Sequence, residues 1–206
     1  MVEITTLFWD VGGVILTNGW DRAARERAAA EFGLNLEDLE DRHRVADQLF
    51  ETGQMTLDEY LERTVFYCAR SFSKERFKEF MFAQSRDLPE SHGVVGELAK
   101  SMKYLMATLN NESLELNEHR IQEFGLREHF TLFFSSCYIH VRKPDAAIFH
   151  LALQVTQRRP QECLFIDDRP RNLEYPRRLG MCTIQFQNAA QLRAELGRQG
   201  VMLAAS

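Results

Sequence analysis

The sequence predicts an α/β protein: a parallel β-sheet core with an α-helical bundle inserted after the first strand. Two observations carry this. Apolar runs of strand length alternate with helical segments through the second half of the chain, the pattern of a parallel sheet with right-handed crossovers. Residues 21–88, by contrast, read as helical almost throughout and contain no convincing strand. They therefore form a bundle of their own and do not wrap the sheet. A length of 206 residues suits one domain or one domain with an insertion, and a hydrophobic content of 45% supplies a sizeable core.

The first strand is the apolar run Thr6-Leu7-Phe8-Trp9, which stops at Asp10 and is followed by Val11, Gly12, Gly13 and Val14. Asp21 to Phe32 reads as a helix ended by Gly33, and Leu36 to about Glu51 as a second, with Asn35 as its N-cap. Thr56 and Glu59 form a capping box for a third helix reaching Cys68, and Ser73 caps a fourth from Lys74 to about Gln84. Apolar residues recur at helical spacing in this block, and Phe66, Phe72, Phe77, Phe80 and Phe82 read as bundle core. After Pro89 the alternation resumes with a helix from Ser91 to Ser101. A strand from Tyr104 to Leu109 then ends in Asn110-Asn111, and a helix from Leu114 to Phe124 is closed by Gly125. Leu132 to Phe134 is a short strand, Ala146 to Val155 a helix after Pro144, and Cys163 to Ile166 a strand ending in Asp167-Asp168. Leu173 to Leu179 is a helix closed by Gly180, Cys182 to Phe186 a strand, and Ala189 to Gly197 the last helix. The expected architecture is a Rossmann-like three-layer core of residues 1–17 and 90–206 with a helical cap of residues 18–89. Its hinges fall near Thr17 to Trp20 and Leu88 to His92.

Composition excludes several functional classes. A net charge of -5 without a basic tract argues against a general nucleic-acid binder. Cys68, Cys137, Cys163 and Cys182 are widely spaced and form no CxxC, so they read as reduced thiols of a cytoplasmic protein. No apolar run approaches transmembrane length, and the N-terminus carries Glu3 and lacks a basic leader.

Three strand ends carry polar groups: Asp10, Asn110 and the pair Asp167-Asp168. In a parallel sheet these ends lie along one edge, where open α/β sheets place their chemistry. A fourth element, Arg142-Lys143-Pro144-Asp145, precedes a helix. An aspartate nucleophile, a lysine to restrain it and further carboxylates can hold a hard divalent cation such as magnesium. Each residue also has a plainer reading. Asp10 and Asn110 are ordinary turn residues after a strand, Lys143 is a solvated lysine, and one of the Asp pair caps the next helix or orients Arg171. His140 reads as a loop residue.

Taken together, the motifs resemble those of the haloacid dehalogenase superfamily over nearly the whole chain. They are Phe8-Trp9-Asp10-Val11-Gly12-Gly13-Val14, Arg142-Lys143-Pro144-Asp145-Ala146-Ala147-Ile148-Phe149, and Leu164-Phe165-Ile166-Asp167-Asp168-Arg169-Pro170-Arg171-Asn172. The helical insertion resembles the family's type-1 cap, and the chain resembles the branch of glucose-1-phosphate phosphatases and soluble epoxide hydrolase N-terminal domains. The resemblance implies Asp10 as nucleophile forming an aspartyl-phosphate, and Lys143 holding Asp10 and neutralising the phosphate. It implies Mg²⁺ held by Asp10, the Gly12 carbonyl and Asp168, with Asp167 as a further ligand. Substrate phosphate is expected at Asn110, Asn111, Thr108 and Lys143.

Two positions depart from the family. Its phosphatases carry a second aspartate two residues after the nucleophile as general acid and base; Gly12 stands there. Losing that help costs about 10²–10⁴ in rate, or roughly 3–5 kcal/mol. A glucose-1-phosphate phosphatase group also has glycine there. The family's phosphate-binding Ser or Thr immediately precedes the Asn; here that residue is Leu109, and Thr108 lies one position early, so either the strand end is irregular and Thr108 still reaches in, or Asn110 and backbone amides bind the phosphate alone. The leading expectation is a Mg²⁺-dependent phosphatase of a small phosphorylated metabolite such as a sugar phosphate. The alternatives are a 2-haloacid dehalogenase, which needs no metal, and a degenerate member that binds a ligand or partner without turnover. Substrate choice is expected of residues near Asn18, Trp20, Arg22 and 51–54. The expected partner is a small phosphorylated substrate, with no nucleic acid and no membrane, in a monomer or homodimer.

Overall fold

The computed structural model describes residues 2–203; Met1 and 204–206, the ends of the sequence-derived core, lie outside the described residues. Five parallel strands form one sheet in the order β3-β2-β1-β4-β5: β1 (Thr6–Trp9), β2 (Leu105–Asn110), β3 (Leu132–Ser135), β4 (Cys163–Asp167) and β5 (Cys182–Gln185). The α/β expectation and the all-parallel sheet hold. β1 sits centrally, Trp9 in register with Thr108 of β2 on one side and Ile166 of β4 on the other. Its side chains alternate between two apolar layers, Leu7 and Trp9 into one, Phe8 into the other, which is why the run lacks a polar face.

The first layer is covered by α5 (Pro89–Ser101) and α10 (Ala189–Arg198) through Val94, Val95, Leu98, Leu192 and Leu196, with Ile121 of α6 (Leu114–Glu123). The second is covered by α8 (Ala146–Thr156) and α9 (Pro170–Leu179) through Ile148, Phe149, Ala152 and Leu173. The inserted helices are α1 (Arg22–Phe32), α2 (Leu36–Glu51), α3 (Leu57–Thr64) and α4 (Lys74–Ala83). They share a third apolar cluster around Tyr60, Leu61 and Phe77, against which Phe66, Phe72, Phe80 and Phe82 pack. The caps expected at Asn35, Thr56 with Glu59, and Ser73 are all formed.

The two chain crossings between insertion and sheet run side by side. Thr17 N–H donates to the Arg86 carbonyl at 2.8 Å, and Leu88 N–H to the Ile15 carbonyl at 3.0 Å.

Three helix boundaries differ from expectation by two residues or more, and one short helix is additional. α3 stops at Thr64 and not at Cys68, because Arg70 Nε donates to the Val65 carbonyl at 2.7 Å and the chain turns there. α5 and α9 begin earlier than expected, each with a proline in the first turn, where its missing N–H costs nothing. A one-turn helix, α7 (Ser136–Ile139), was not expected; four residues show no periodicity to read. His140, its C-cap, has φ 58° and places Nδ1 2.7 Å from the Thr52 carbonyl, tying the core to the end of α2. No helix among the described residues is long and apolar enough to cross a membrane.

Candidate active site

Asp10, Asn110 and Asp167 close three adjacent strands, and the sheet order brings them to one edge. Asp10 N–H donates to the Ile166 carbonyl, so its backbone extends the sheet pairing by one residue. Its Oδ1 accepts from the Val11 N–H at 2.8 Å and meets Lys143 Nζ at 2.9 Å. Lys143 Nζ also lies 2.7 Å from Asp167 Oδ2, and the lysine is 3% exposed. Asn111 fixes the lysine's backbone from both sides: its Nδ2 donates to the Lys143 carbonyl at 2.9 Å and its Oδ1 accepts the Lys143 N–H at 2.8 Å. That pairing uses the amide expected to bind phosphate, so Asn111 positions Lys143.

Asp167 is wholly buried and fully engaged. Beyond Lys143, it accepts from Asn172 Nδ2 at 3.0 Å and from the Arg169 N–H at 2.8 Å. The residue it orients is Asn172, not Arg171. Asp168 differs, since its Oδ1 is buried without a hydrogen-bond partner. One carboxylate oxygen from each of Asp10, Asp167 and Asp168 lies within 4.8 Å of the others. Gly13, at φ 77°, permits this approach: a Cβ there would overlap Asp168 Oδ2. Among the described residues no backbone N–H donates to the Gly12 carbonyl.

Electrostatics follow from this crowding. Burial pushes the Asp10 carboxyl up to about 7; Lys143 opposes this, while Asp167 and Asp168 add to it. Burial, then the neighbouring Asp167, also pushes Asp168 up. Burial works against the Lys143 charge, but Asp10 and Asp167 outweigh it and the net direction is up. Three carboxylates thus face one ammonium, an excess of negative charge that suits a hard divalent cation with few carboxylate ligands.

Asn110 lines the cavity beside Asp10, its Nδ2 engaged only by a long 3.5 Å contact with Asn117 Oδ1. Thr108 does not line it: β2 is regular to its end, and the threonine is buried with Oγ1 unpartnered. The cavity measures about 510 Å³. Asn18, Trp20, Arg22 and Glu51 reach its wall as expected, while 52–54 do not.

Sequence reasoning missed His43 and Asp47, which α2 adds to the wall. Arg142 Nη1 bridges Asp47 at 2.7 Å and Glu51 at 2.8 Å, linking the lysine loop to α2. Burial, then nearby Asp47, pushes Glu51 up to about 7. His43 reaches the Tyr60 hydroxyl at 2.9 Å, and burial, then Arg25, pushes it down to about 4. Charged residues on amphipathic helices read as solvated, and only the pairing of α2 with the lysine loop reveals these as cavity groups.

A family profile described as haloacid dehalogenase-like hydrolase matches residues 4–197. Flavin mononucleotide hydrolase 1 of Arabidopsis thaliana is 29% identical over 187 residues, 84% of this chain and 69% of the relative. D-ribitol-5-phosphate phosphatase of Bacteroides thetaiotaomicron is 26% identical over 201 residues, 94% of this chain and 97% of the relative. A haloacid dehalogenase family enzyme from Bacteroides thetaiotaomicron, solved as a magnesium complex, superposes with a TM-score of 0.78 at 20% identity, covering 96% of this chain and 100% of that one. The same enzyme with magnesium and inorganic phosphate gives 0.75 at 18% identity, covering 90% and 95%.

Proposed function

Because the chain belongs to the haloacid dehalogenase-like hydrolases, we propose that it is a magnesium-dependent phosphomonoesterase of a small phosphorylated metabolite, acting through an aspartyl-phosphate on Asp10. The observation that carries this is the charge imbalance at the strand ends. Asp10, Asp167 and Asp168 share one ammonium, and a buried Asp168 oxygen lacks any partner. A buried anionic oxygen without a partner is costly unless a cation completes it.

Asp10, Asp168 and the Gly12 carbonyl are the groups that would hold Mg²⁺. Bound there, the ion offsets charge between the carboxylate and the phosphoryl oxygens. Asp10 attacks phosphorus, the leaving oxygen departs with its electron pair, and water then hydrolyses the acyl phosphate. Lys143 favours the ionised nucleophile and orients it, with Asn111 fixing the lysine's main chain and Asn172 and the Arg169 N–H fixing Asp167. Asn110 donates to a phosphoryl oxygen. Helices α1–α4, within residues 18–89, act as the cap over the core of 1–17 and 90–206, and their cavity-facing groups select the substrate. The substrates that name the two relatives, a flavin nucleotide and a pentitol phosphate, support a small phosphorylated metabolite.

The test is phosphate release from para-nitrophenyl phosphate and a panel of phosphorylated metabolites, with Mg²⁺ and with EDTA, beside Asp10→Asn. Release that requires both Mg²⁺ and Asp10 is expected. Release that persists in Asp10→Asn, or none from any substrate, overturns the reading. Gly12 favours a second reading, a relative that binds a phosphorylated ligand without turnover; ligand trapped with no release would support it.

A further inference from the structure

The side-chain atom that stands closest to position 12 is an acceptor. A Cβ built on Gly12 would lie 3.1 Å from Asn18 Oδ1, tighter than ordinary van der Waals contact, so the amide oxygen borders the space that an aspartate side chain there would enter. Asn18 lines the cavity with Asp10 and Gly12, and its side chain makes no hydrogen bond among the described residues. Its orientation follows from its neighbours. Nδ2 faces Gly13, 3.1 Å from a Cβ built there and on the side of Asp168 Oδ2, while Oδ1 faces position 12 beside Arg120 Nη1. The donor thus points toward a carboxylate and the acceptor toward a guanidinium. The backbone on either side is anchored. Thr17 Oγ1 donates to the Gln84 carbonyl at 2.7 Å and accepts the Arg86 N–H at 2.9 Å, and the Thr17 carbonyl accepts from Arg120 Nη2 at 3.3 Å. Gly19 packs so closely on that guanidinium that a Cβ would overlap Nη2. An unbonded amide oxygen therefore stands on a fixed backbone next to the turn that follows the nucleophile.

We propose that Asn18 is a water-positioning residue, its Oδ1 accepting a hydrogen bond from the water that hydrolyses the aspartyl-phosphate. This rests on the phosphatase reading. It covers the half of the missing aspartate's work that needs an acceptor and leaves the other half, proton donation, undone. In the first half-reaction the Asp10 oxygen displaces the ester oxygen, which carries no hydrogen to offer, and Oδ1 contributes nothing. In the second, water enters in line from the side that oxygen left. The water oxygen bonds to phosphorus, the bond from phosphorus to the Asp10 oxygen breaks, and its electron pair restores the Asp10 carboxylate. Both water hydrogens leave with the product as dihydrogen phosphate, so no side chain has to take a proton. A side-chain amide that orients an attacking water without deprotonating it is known chemistry of phosphoryl transfer. A purely structural role for Asn18, holding the Gly12-Gly13 turn, would slow both half-reactions alike.

The test is rapid-mixing kinetics of the unaltered protein, Asn18→Ala and Asn18→Leu with dinitrophenyl phosphate, whose stable leaving anion makes the first step fast. Phosphoenzyme is followed by intact mass after acid quenching. Both variants are expected to keep the rate of the phenolate burst within about threefold, because the lost bond forms only in the second transition state. Dephosphorylation should slow about tenfold, the scale of one hydrogen bond. Phosphoenzyme then accumulates in the steady state, and kcat becomes the same for aryl phosphates of different leaving-group pKa. Equal slowing of both steps, slowing of the first alone, or no change overturns the proposal while leaving the phosphatase reading intact. No Asp10-dependent turnover of para-nitrophenyl phosphate by the unaltered protein overturns both. The burst amplitude counts folded sites, so a variant that folds poorly shows a smaller burst and still reports both rate constants.

Discussion

Lys143 Nζ stands 2.9 Å from Asp10 Oδ1 and 2.7 Å from Asp167 Oδ2, so one buried ammonium serves two carboxylates on neighbouring strands. Lys143→Met is therefore expected to lower kcat by about 10²–10³, the scale for removing a charged group aimed at the reacting centre. It also removes the charge that opposes the rise of Asp10 toward about 7, and the carboxyl moves higher still. A carboxyl raised in the folded state loses stability as pH increases through its folded value. The variant's deficit in urea unfolding should then be larger at pH 8 than at pH 5. A deficit independent of pH would disprove the account. Lys143→Arg should not rescue activity, because a planar guanidinium cannot reproduce the point contacts of Nζ with Asp10 Oδ1 and Asp167 Oδ2.

The two adjacent aspartates separate by their partners. Asp167 is engaged by Lys143, Asn172 and the Arg169 N–H, whereas Asp168 holds a buried oxygen with none. Asp168→Asn is expected to raise the Mg²⁺ concentration for half-maximal activity at least about tenfold with little change in stability. Asp167→Asn should cost about 3 kcal/mol or more, because it leaves Lys143 short of a buried partner. Magnesium titration and urea unfolding of both variants check this; the opposite pattern would exchange the roles assigned here.

Glu51 gives a pH signature away from the strand ends. Its side chain is 31% exposed, to the cavity, beside Asp47 and Arg142. Burial raises it from an ordinary value of 4.5 to about 7. Because the folded value is the higher one, the protonated form is favoured by folding. That contribution is complete below about pH 4.5 and is lost as pH rises through about 7. Glu51→Gln, uncharged throughout, should flatten the fall in Tm between pH 5 and 8, gaining on the unaltered protein toward pH 8. A parallel Tm profile for the two proteins would show that Asp47 and Arg142 compensate the charge fully.

Legibility followed from how local each signal is. β1 was readable because both faces of Leu7-Phe8-Trp9 are apolar, and the helix starts because Asn35, Thr56 and Ser73 bond to their own first turns. That Asp10, Lys143 and Asp168 come together was readable from motif order, although the partners that hold each lie in other elements. Asn111 shows the limit: its type suggested a phosphate donor, while its geometry spends both amide atoms on Lys143. Arg120 was invisible. It sits among polar residues on α6 and reads as solvated, and the Glu112, Ser85 and Thr17 groups that bury it come from three other stretches of chain. Thr108 was ambiguous only while the end of β2 was unknown; the regular pairing of Asn110 with Ser135 removes it from the cavity.

Gly12→Asp tests whether a carboxyl restored at position 12 can act as an acid. If the site merely lacks a proton donor, restoring the carboxyl should recover up to about 10²–10⁴ on alkyl phosphates, the usual contribution of general acid catalysis. The surroundings argue otherwise. A carboxylate at 12 would extend from a Cβ 3.6 Å from Arg120 Nη1. An adjacent buried guanidinium lowers a carboxyl's pKa and keeps it ionised, and an ionised carboxylate cannot protonate a leaving oxygen. It would also crowd Asn18 Oδ1, 3.1 Å from that Cβ. The expected outcome is no gain on alkyl phosphates, because Arg120, held by Glu112, Ser85 and the Thr17 carbonyl, keeps the new carboxyl ionised. Comparison of alkyl and para-nitrophenyl phosphate turnover in Gly12→Asp reads this directly. A gain of about 10²-fold or more, within the range that proton donation supplies, would show that Arg120 does not keep the new carboxyl ionised.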